Sequence, residues 1–223
     1  SMLIKIVNKG QQKKEFVSKL RSMDMIGQRV VVKVEKKYND TITFNNGEKL
    51  YLDVTYNPEH HVVICGEVMA TPNTDWCVRT DGERLKQELR IGDKIYFNYL
   101  TVDNENKITD EDNCYMLDLE MVYCFVRNGK ITATSNHVLV EPLKQEERIG
   151  SIWIPNTGEK EDEGILRYIG TPKKNFERPD VVPGCRVKFE DTYAFENELE
   201  GKKFYVMQQD DLLGLIIDVG RAV

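Results

Sequence analysis

Four short blocks of this chain occur twice, in the same order. "RVVVKV" (29–34) returns as "HVLVEP" (137–142), and "GEVMATP" (66–72) as "GILRYIGTP" (164–172). "RIGDKIYF" (90–97) returns as "VPGCRVKF" (182–189), and "YMLDLEMVYCF" (115–125) as "YVMQQDDLLGL" (205–215). The offsets lie between 90 and 108 residues. A recurrence of this length predicts two copies of one module, each of about 100 residues, a common domain size. We place the copies at 27–126 and 136–223, joined by "RNGKITATSN" (127–136).

The blocks are short apolar runs set between turn clusters such as "NNGE", "NPEH" and "VDNENK". Many short strands at close spacing predict an all-β chain of barrel or sandwich type. After the Gly92-Asp93 and Pro183-Gly184 turns the residues alternate strictly, Lys94 and Tyr96 against Ile95 and Phe97, then Arg186 and Lys188 against Val187 and Phe189. Such alternation predicts one buried and one solvated face. Rolling the sheet into a small barrel hides its edges. Residues 1–26 stand apart as an N-terminal appendage: "LIKIV" suits a short strand, and Phe16, Leu20 and Met23 share one helical face. That face packs on the neighbouring module or meets a separate partner.

Composition narrows the function. A net charge of −6 argues against nucleic acid, whose binders carry basic patches. No run of 18 apolar residues predicts a membrane span, and the N-terminus reads as no secretory leader, with Ser1 ahead of Met2 as a cloning remnant. Five cysteines without CxxC spacing suit reduced, mostly buried side chains in a cytoplasmic protein. His60, His61 and Cys65 have spacing compatible with zinc, but no second cluster completes a site. There is no GxGxxG, P-loop, HExxH or nucleophile elbow, so neither an enzyme nor a cofactor is expected.

One segment resists the plain β reading. "ERIGSIWIPNTGEKEDEG" (147–164) sets Ile152-Trp153-Ile154 inside charged and turn-forming residues. Either it is a strand whose isoleucines face the core with Trp153 over a barrel end, or it is an exposed loop carrying an apolar plug for a groove on another protein.

Here the chain resembles a known family, the co-chaperonins of the GroES type. From Asn136 to Ile217 the order "NHVLVEPL", a polar loop, "EGILRYIG", "VVPGCRVKF" and "YVMQQDDLLGLI" is similar to that family throughout. Gly150, Ser151, Ile152, Trp153, Ile154 and Pro155 resemble the glycine-led apolar tripeptide of its mobile loop, which engages the chaperonin ring. The first copy matches more loosely: Leu50-Tyr51-Leu52 is its comparable tripeptide, without the Gly or the Pro. The resemblance implies two tandem GroES-like β-barrels and a non-catalytic co-chaperonin that self-associates into a ring and caps a GroEL-type chaperonin during its ATP cycle. It implies a mobile loop at about 144–162. Medium-chain alcohol dehydrogenases share the barrel, but they need a dinucleotide-binding region that this chain lacks. The remaining alternative is a structural or assembly adaptor built from two such barrels, a reading that the degraded first loop favours and the intact second tripeptide disfavours.

Overall fold

The computed structural model describes residues 28–55, 62–109, 113–149, 152–174, 177–190 and 195–217. The expected N-terminal appendage, with Phe16, Leu20 and Met23, lies outside the described residues, as do His60 and His61. The described residues form strands, short 3-10 turns and connections, with no α-helix among them. The strands are β1 (Arg29–Lys33), β2 (Thr41–Thr43), β3 (Lys49–Tyr51), β4 (Cys65–Ala70), β5 (Trp76–Val78), β6 (Arg84–Lys86), β7 (Lys94–Phe97), β8 (Lys107–Thr109), β9 (Cys114–Asp118), β10 (Val122–Arg127) and β11 (Lys130–Ala133). Six more follow: β12 (His137–Ile149), β13 (Ile152–Ile169), β14 (Arg186–Phe189), β15 (Phe195–Leu199), β16 (Lys202–Gln208) and β17 (Leu212–Leu215).

Two large antiparallel sheets result. The first runs β11-β10-β7-β4-β1-β9-β8 and the second β17-β14-β13-β12-β16-β15. Leaving β11 aside, each strand of one has a counterpart at the same place in the other. The registers also coincide. Val31 faces Ala70 and Val32 faces Val68, with a bulge between; Leu139 faces Tyr168 and Val140 faces Leu166, with a bulge between. The quoted sequence blocks supply these strands. Alternate residues point into one core per sheet: Val30, Val32, Val68, Ile95 and Phe97 in the first, Val138, Val140, Leu166, Val187 and Phe189 in the second. Strands β1, β4, β7, β9 and β10 of the first sheet, and β12, β13, β14, β16 and β17 of the second, each send residues into their sheet's core, the one buried face that the alternation predicts.

The close approach of strands explains one residue in each sheet. A Cβ on Gly66 would lie 2.6 Å from the Lys33 carbonyl oxygen and 2.6 Å from Val32 Cγ2. A Cβ on Gly164 would lie 2.7 Å from the Glu141 carbonyl oxygen and 2.3 Å from Val140 Cγ1. A backbone oxygen and a stiff buried valine cannot yield cheaply. Gly164→Ala is therefore expected to cost about 1–3 kcal/mol, the usual range for overpacking. A urea melt with an unchanged midpoint would show that the strands separate freely there.

The segment between the copies is itself structured. Asn128 and Gly129 take positive φ (53° and 73°), the conformation of a two-residue hairpin turn, and β11 folds back on β10 with Arg127 facing Lys130. Arg127 grips buried Asp93 with two bonds, Nε to Oδ1 at 2.8 Å and Nη2 to Oδ2 at 2.7 Å. A third apolar cluster then joins the sheets: Tyr96, Tyr123, Cys124 and Ala133 meet Leu139, Leu199, Phe204 and Val206. Polar bonds ring it. Tyr96 Oη donates to Glu200 Oε1 at 2.8 Å, Thr171 Oγ1 to Glu88 Oε2 at 3.0 Å, and Arg79 Nη1 to Gln208 Oε1 at 3.1 Å. Lys94 also pairs with Glu200 and holds its carboxyl below the usual range.

His137 sits at this junction, 4% exposed. Its Nδ1 lies 3.0 Å from the Thr134 carbonyl, its Nε2 2.7 Å from Gln208 Nε2, and Tyr123 packs edge-on at 5.1 Å. The amide NH2 can only donate, so a neutral ring with the proton on Nδ1 satisfies both bonds. Burial pushes its pKa down to about 4, and Arg79 adds to the depression. The unfolded chain takes up a proton near pH 6.5 that the folded site refuses down to about 4. Stability is thus fully present above pH 6.5 and falls as the pH drops through 4, by an amount on the order of 3 kcal/mol. His137→Asn should flatten that acid-side loss in urea melts between pH 7 and 4; an equal slope in both proteins would assign it to the carboxylates instead.

Candidate functional site

Beyond the second core, β12 and β13 continue as a pair, with no third strand among the described residues. β16 pairs β12 only over His137–Val140, and β14 pairs β13 only over Glu163–Ile165. From Pro142 facing Gly164 outward, the two strands form a ribbon: Lys144 faces Glu159, Glu146 faces Pro155, Glu147 faces Ile154, Arg148 faces Trp153 and Ile149 faces Ile152. At ~3.3 Å per residue, Pro142 to Ile149 spans roughly 20 Å. The sequence predicts a loop over 144–162; the structure instead extends the flanking strands. Antiparallel pairing satisfies the backbone groups that an open loop leaves to water. The pairing slips between Pro142 and Lys144 and again between Lys144 and Glu146. Pro142 and Pro155 lack the N–H a regular ladder needs, which is where ladders slip.

The ribbon root is held by charge. Arg186 Nη2 and Nε reach Glu163 Oε2 at 2.5 and 3.2 Å, and Lys188 Nζ reaches Asp162 Oδ2 at 2.7 Å. Arg167 pairs with Glu141 on the adjoining strands.

The expected site residues fall at the far end. Ile152, Trp153, Ile154 and Pro155 are the first residues of β13, with Ile152 facing the last residue of β12, Ile149; Gly150 and Ser151 lie outside the described residues.

The first sheet has a matching projection. Val63 N–H donates to the Lys37 carbonyl at 3.0 Å, Tyr38 bridges Val62, and Leu52 N–H donates to the Asp40 carbonyl at 2.8 Å. This ladder leads out from β1 and β4 to the separate hairpin β2–β3, with Ile42 facing Leu50 and Thr41 facing Tyr51. Leu50 and Tyr51 end β3 and Leu52 follows it. In the hairpin the three do not lie on one surface: Leu50 shares a face with Ile42, and Tyr51 points the opposite way. The sequence reading passed over Ile42 and Phe44. The signal was "TITF", an alternation leading into the "NNGE" turn.

Among the described residues no cluster of three or more His, Cys, Asp or Glu could hold a metal ion. None of the five cysteines is in a disulfide, and Cys77, Cys114 and Cys124 are buried. Burial pushes the Cys124 thiol up to about 12, far from a reactive thiolate. No described helix is long and apolar enough to cross a membrane.

Comparison with known proteins adds the family. The model of the chaperonin 10 kDa subunit matches residues 130–216, which are β11 and the whole second sheet. The co-chaperonin GroES of Rickettsia canadensis is 34% identical over 88 residues, 36% of this chain and 92% of the relative. That of Orientia tsutsugamushi is 36% identical over 85 residues, 35% of this chain and 88% of the relative, and that of Geobacter metallireducens 32% over 94 residues, 39% and 98%. Each relative is covered nearly end to end by little more than a third of this chain, the part that holds the ribbon. Through that part, this chain belongs to the chaperonin 10 kDa subunit family, the GroES-type co-chaperonins.

Proposed function

We propose that this chain is a non-catalytic co-chaperonin of the cytoplasm that caps a GroEL-type chaperonin ring during its ATP-dependent folding cycle. It docks through Gly150, Ser151, Ile152, Trp153, Ile154 and Pro155. The observation that carries the reading is the ribbon: a two-stranded projection, without a third strand beyond residue 163 among the described residues, whose outer end begins with Ile152-Trp153-Ile154, on the module that GroES proteins match. A two-stranded hairpin is at best marginally stable in water, so the tip is free to remodel on a partner.

We divide the chain into an appendage (1–26), a first module (27–126) and a second (136–223). The coincident registers of the two sheets support reading them as copies of one GroES-like unit. One tip binds weakly, because burying a large apolar side chain contributes about 1.5–3 kcal/mol while ordering each loop residue costs about 1–2 kcal/mol. Several tips on one body raise the affinity through effective concentration. Self-association into a ring is therefore part of the mechanism. With two modules per chain, such a ring presents an even number, six or eight from three or four chains, since soluble homo-oligomers close.

Gel filtration with light scattering tests this. The chain should run as a closed oligomer, or assemble on a chaperonin, and should co-elute with a GroEL-type ring only when ATP is present. A strict monomer at tens of micromolar that never co-elutes would favour a structural adaptor instead.

A further inference from the structure

Where the ribbon leaves the second module, β14 grips its root from the side. The ladder between β13 and β14 covers three pairs: Glu163 facing Lys188, Gly164 facing Val187 and Ile165 facing Arg186. The basic side chains of β14 then reach along β13 toward the ribbon. Arg186 sends Nε and Nη2 to one oxygen of Glu163, two residues outward from its own ladder partner. Lys188 Nζ reaches Asp162, one residue beyond the last pair. The Asp162 carboxylate holds the Lys188 ammonium above its usual range. On the other side of the root Arg167 pairs with Glu141 of β12, and Gly164 leaves no room for a Cβ against the Glu141 carbonyl.

The two pairs on β14 differ in weight. The side chains of Lys188 and Asp162 are 47% and 50% exposed, and such a pair contributes little alone. Those of Arg186 and Glu163 are 31% and 16% exposed, and two charge-assisted bonds from one planar guanidinium fix a direction as well as a distance.

The first module shows that this clasp is no by-product of the fold. Its register sets Cys65 opposite Tyr96, Gly66 opposite Ile95 and Glu67 opposite Lys94. With Gly66 equivalent to Gly164, Ile64 and Cys65 stand where the second module has Asp162 and Glu163, and Lys94 and Tyr96 stand where it has Arg186 and Lys188. Lys94 and Tyr96 turn instead to Glu200, at the seam. The acidic half of the clasp belongs to the module that carries "GSIWIP".

We propose that Arg186 and Glu163, aided by Lys188 and Asp162, are positioning residues for docking: they fix the point and direction at which the ribbon leaves the second module, so that the tip meets the ring from a rigid root. This rests on the co-chaperonin reading. Without the clasp the ladder opens inward toward Gly164, and docking must order residues that the intact root holds in place beforehand.

Full-length variants, a GroEL-type ring and ATP test it. Glu163→Arg and Arg186→Glu should each lower ring affinity about tenfold, as ordering one further backbone residue on docking does, and should speed amide exchange at 162–165 in the free protein. Glu163→Gln, which keeps the shape and loses the charge, should give the same changes at smaller size. Combining Glu163→Arg with Arg186→Glu rebuilds the pair with its charges swapped and should recover both affinity and slow exchange. If the single variants exchange faster but bind the ring like the parent, the root does not position the tip, and the inference is overturned while the co-chaperonin reading stands. If the combined variant recovers slow exchange but not affinity, the ring reads these charges directly, and positioning is overturned. If the parent chain binds no ring, both readings fall.

Discussion

Replacing Ile152 and Ile154 together by serine should abolish capture of this chain by an ATP-loaded GroEL-type ring, while its melting temperature stays where it was. The expectation follows from where these residues lie. They begin β13 at the outer end of a ribbon whose third strands stop at Val140 on one side and Glu163 on the other. A core isoleucine or leucine lost to a small residue costs about 2–5 kcal/mol. Two such losses would lower the melting temperature by many degrees in a domain of this size. The second core is instead built from Val138, Val140 and Leu166, far down the same two strands, with Val187 and Phe189 of β14. Binding measured beside a thermal melt separates the two readings of Ile-Trp-Ile. Lost binding with an unchanged melt supports the docking tip. A collapsed melt places the isoleucines in the core.

Truncating Phe204 to alanine should have the opposite signature: a stability loss of about 3–5 kcal/mol, with the tip chemistry intact. Phe204 is 2% exposed and stacks edge-on against Tyr168, with ring centres 5.9 Å apart. It sits in the cluster where Tyr96, Tyr123 and Cys124 of the first sheet meet Leu139 and Val206 of the second. The cavity therefore opens at the seam between the sheets, and calorimetry should show a single transition for the parent chain and a split or broadened one for the variant as the sheets uncouple. A seam without energetic weight would leave one sharp transition at the original temperature.

The strands were legible because each quoted block carries its own period. "RVVVKV" became β1 and "RIGDKIYF" its turn and β7, with Ile95 and Phe97 inward as the alternation requires. The seam was not legible. Tyr96 alternates with the core residues Ile95 and Phe97, and a solvated face was expected there; only the fold shows it buried, with Tyr123, against Leu139 and Val206. The ribbon was half legible. "GSIWIP" marked the segment by its apolar tripeptide, but charge and glycine in 144–162 read as loop, whereas cross-strand pairing of Lys144 with Glu159 carries the flanking strands outward. Leu50-Tyr51-Leu52 was read as a linear motif. The hairpin turns it into a two-sided strand end and brings in Ile42 and Phe44 from the facing strand, a pairing set by the turn at 45–48 rather than by local spacing.

Electron microscopy of this chain mixed with a GroEL-type ring and ATP tests the central claim most directly. The account expects a cap of β modules over the end of the ring, with density running from the second module's ribbon tip, residues 150–155, into the ring's apical surface. Rings that remain uncapped with ATP and excess protein, or a cap whose contacts leave that tip in solvent, would contradict it.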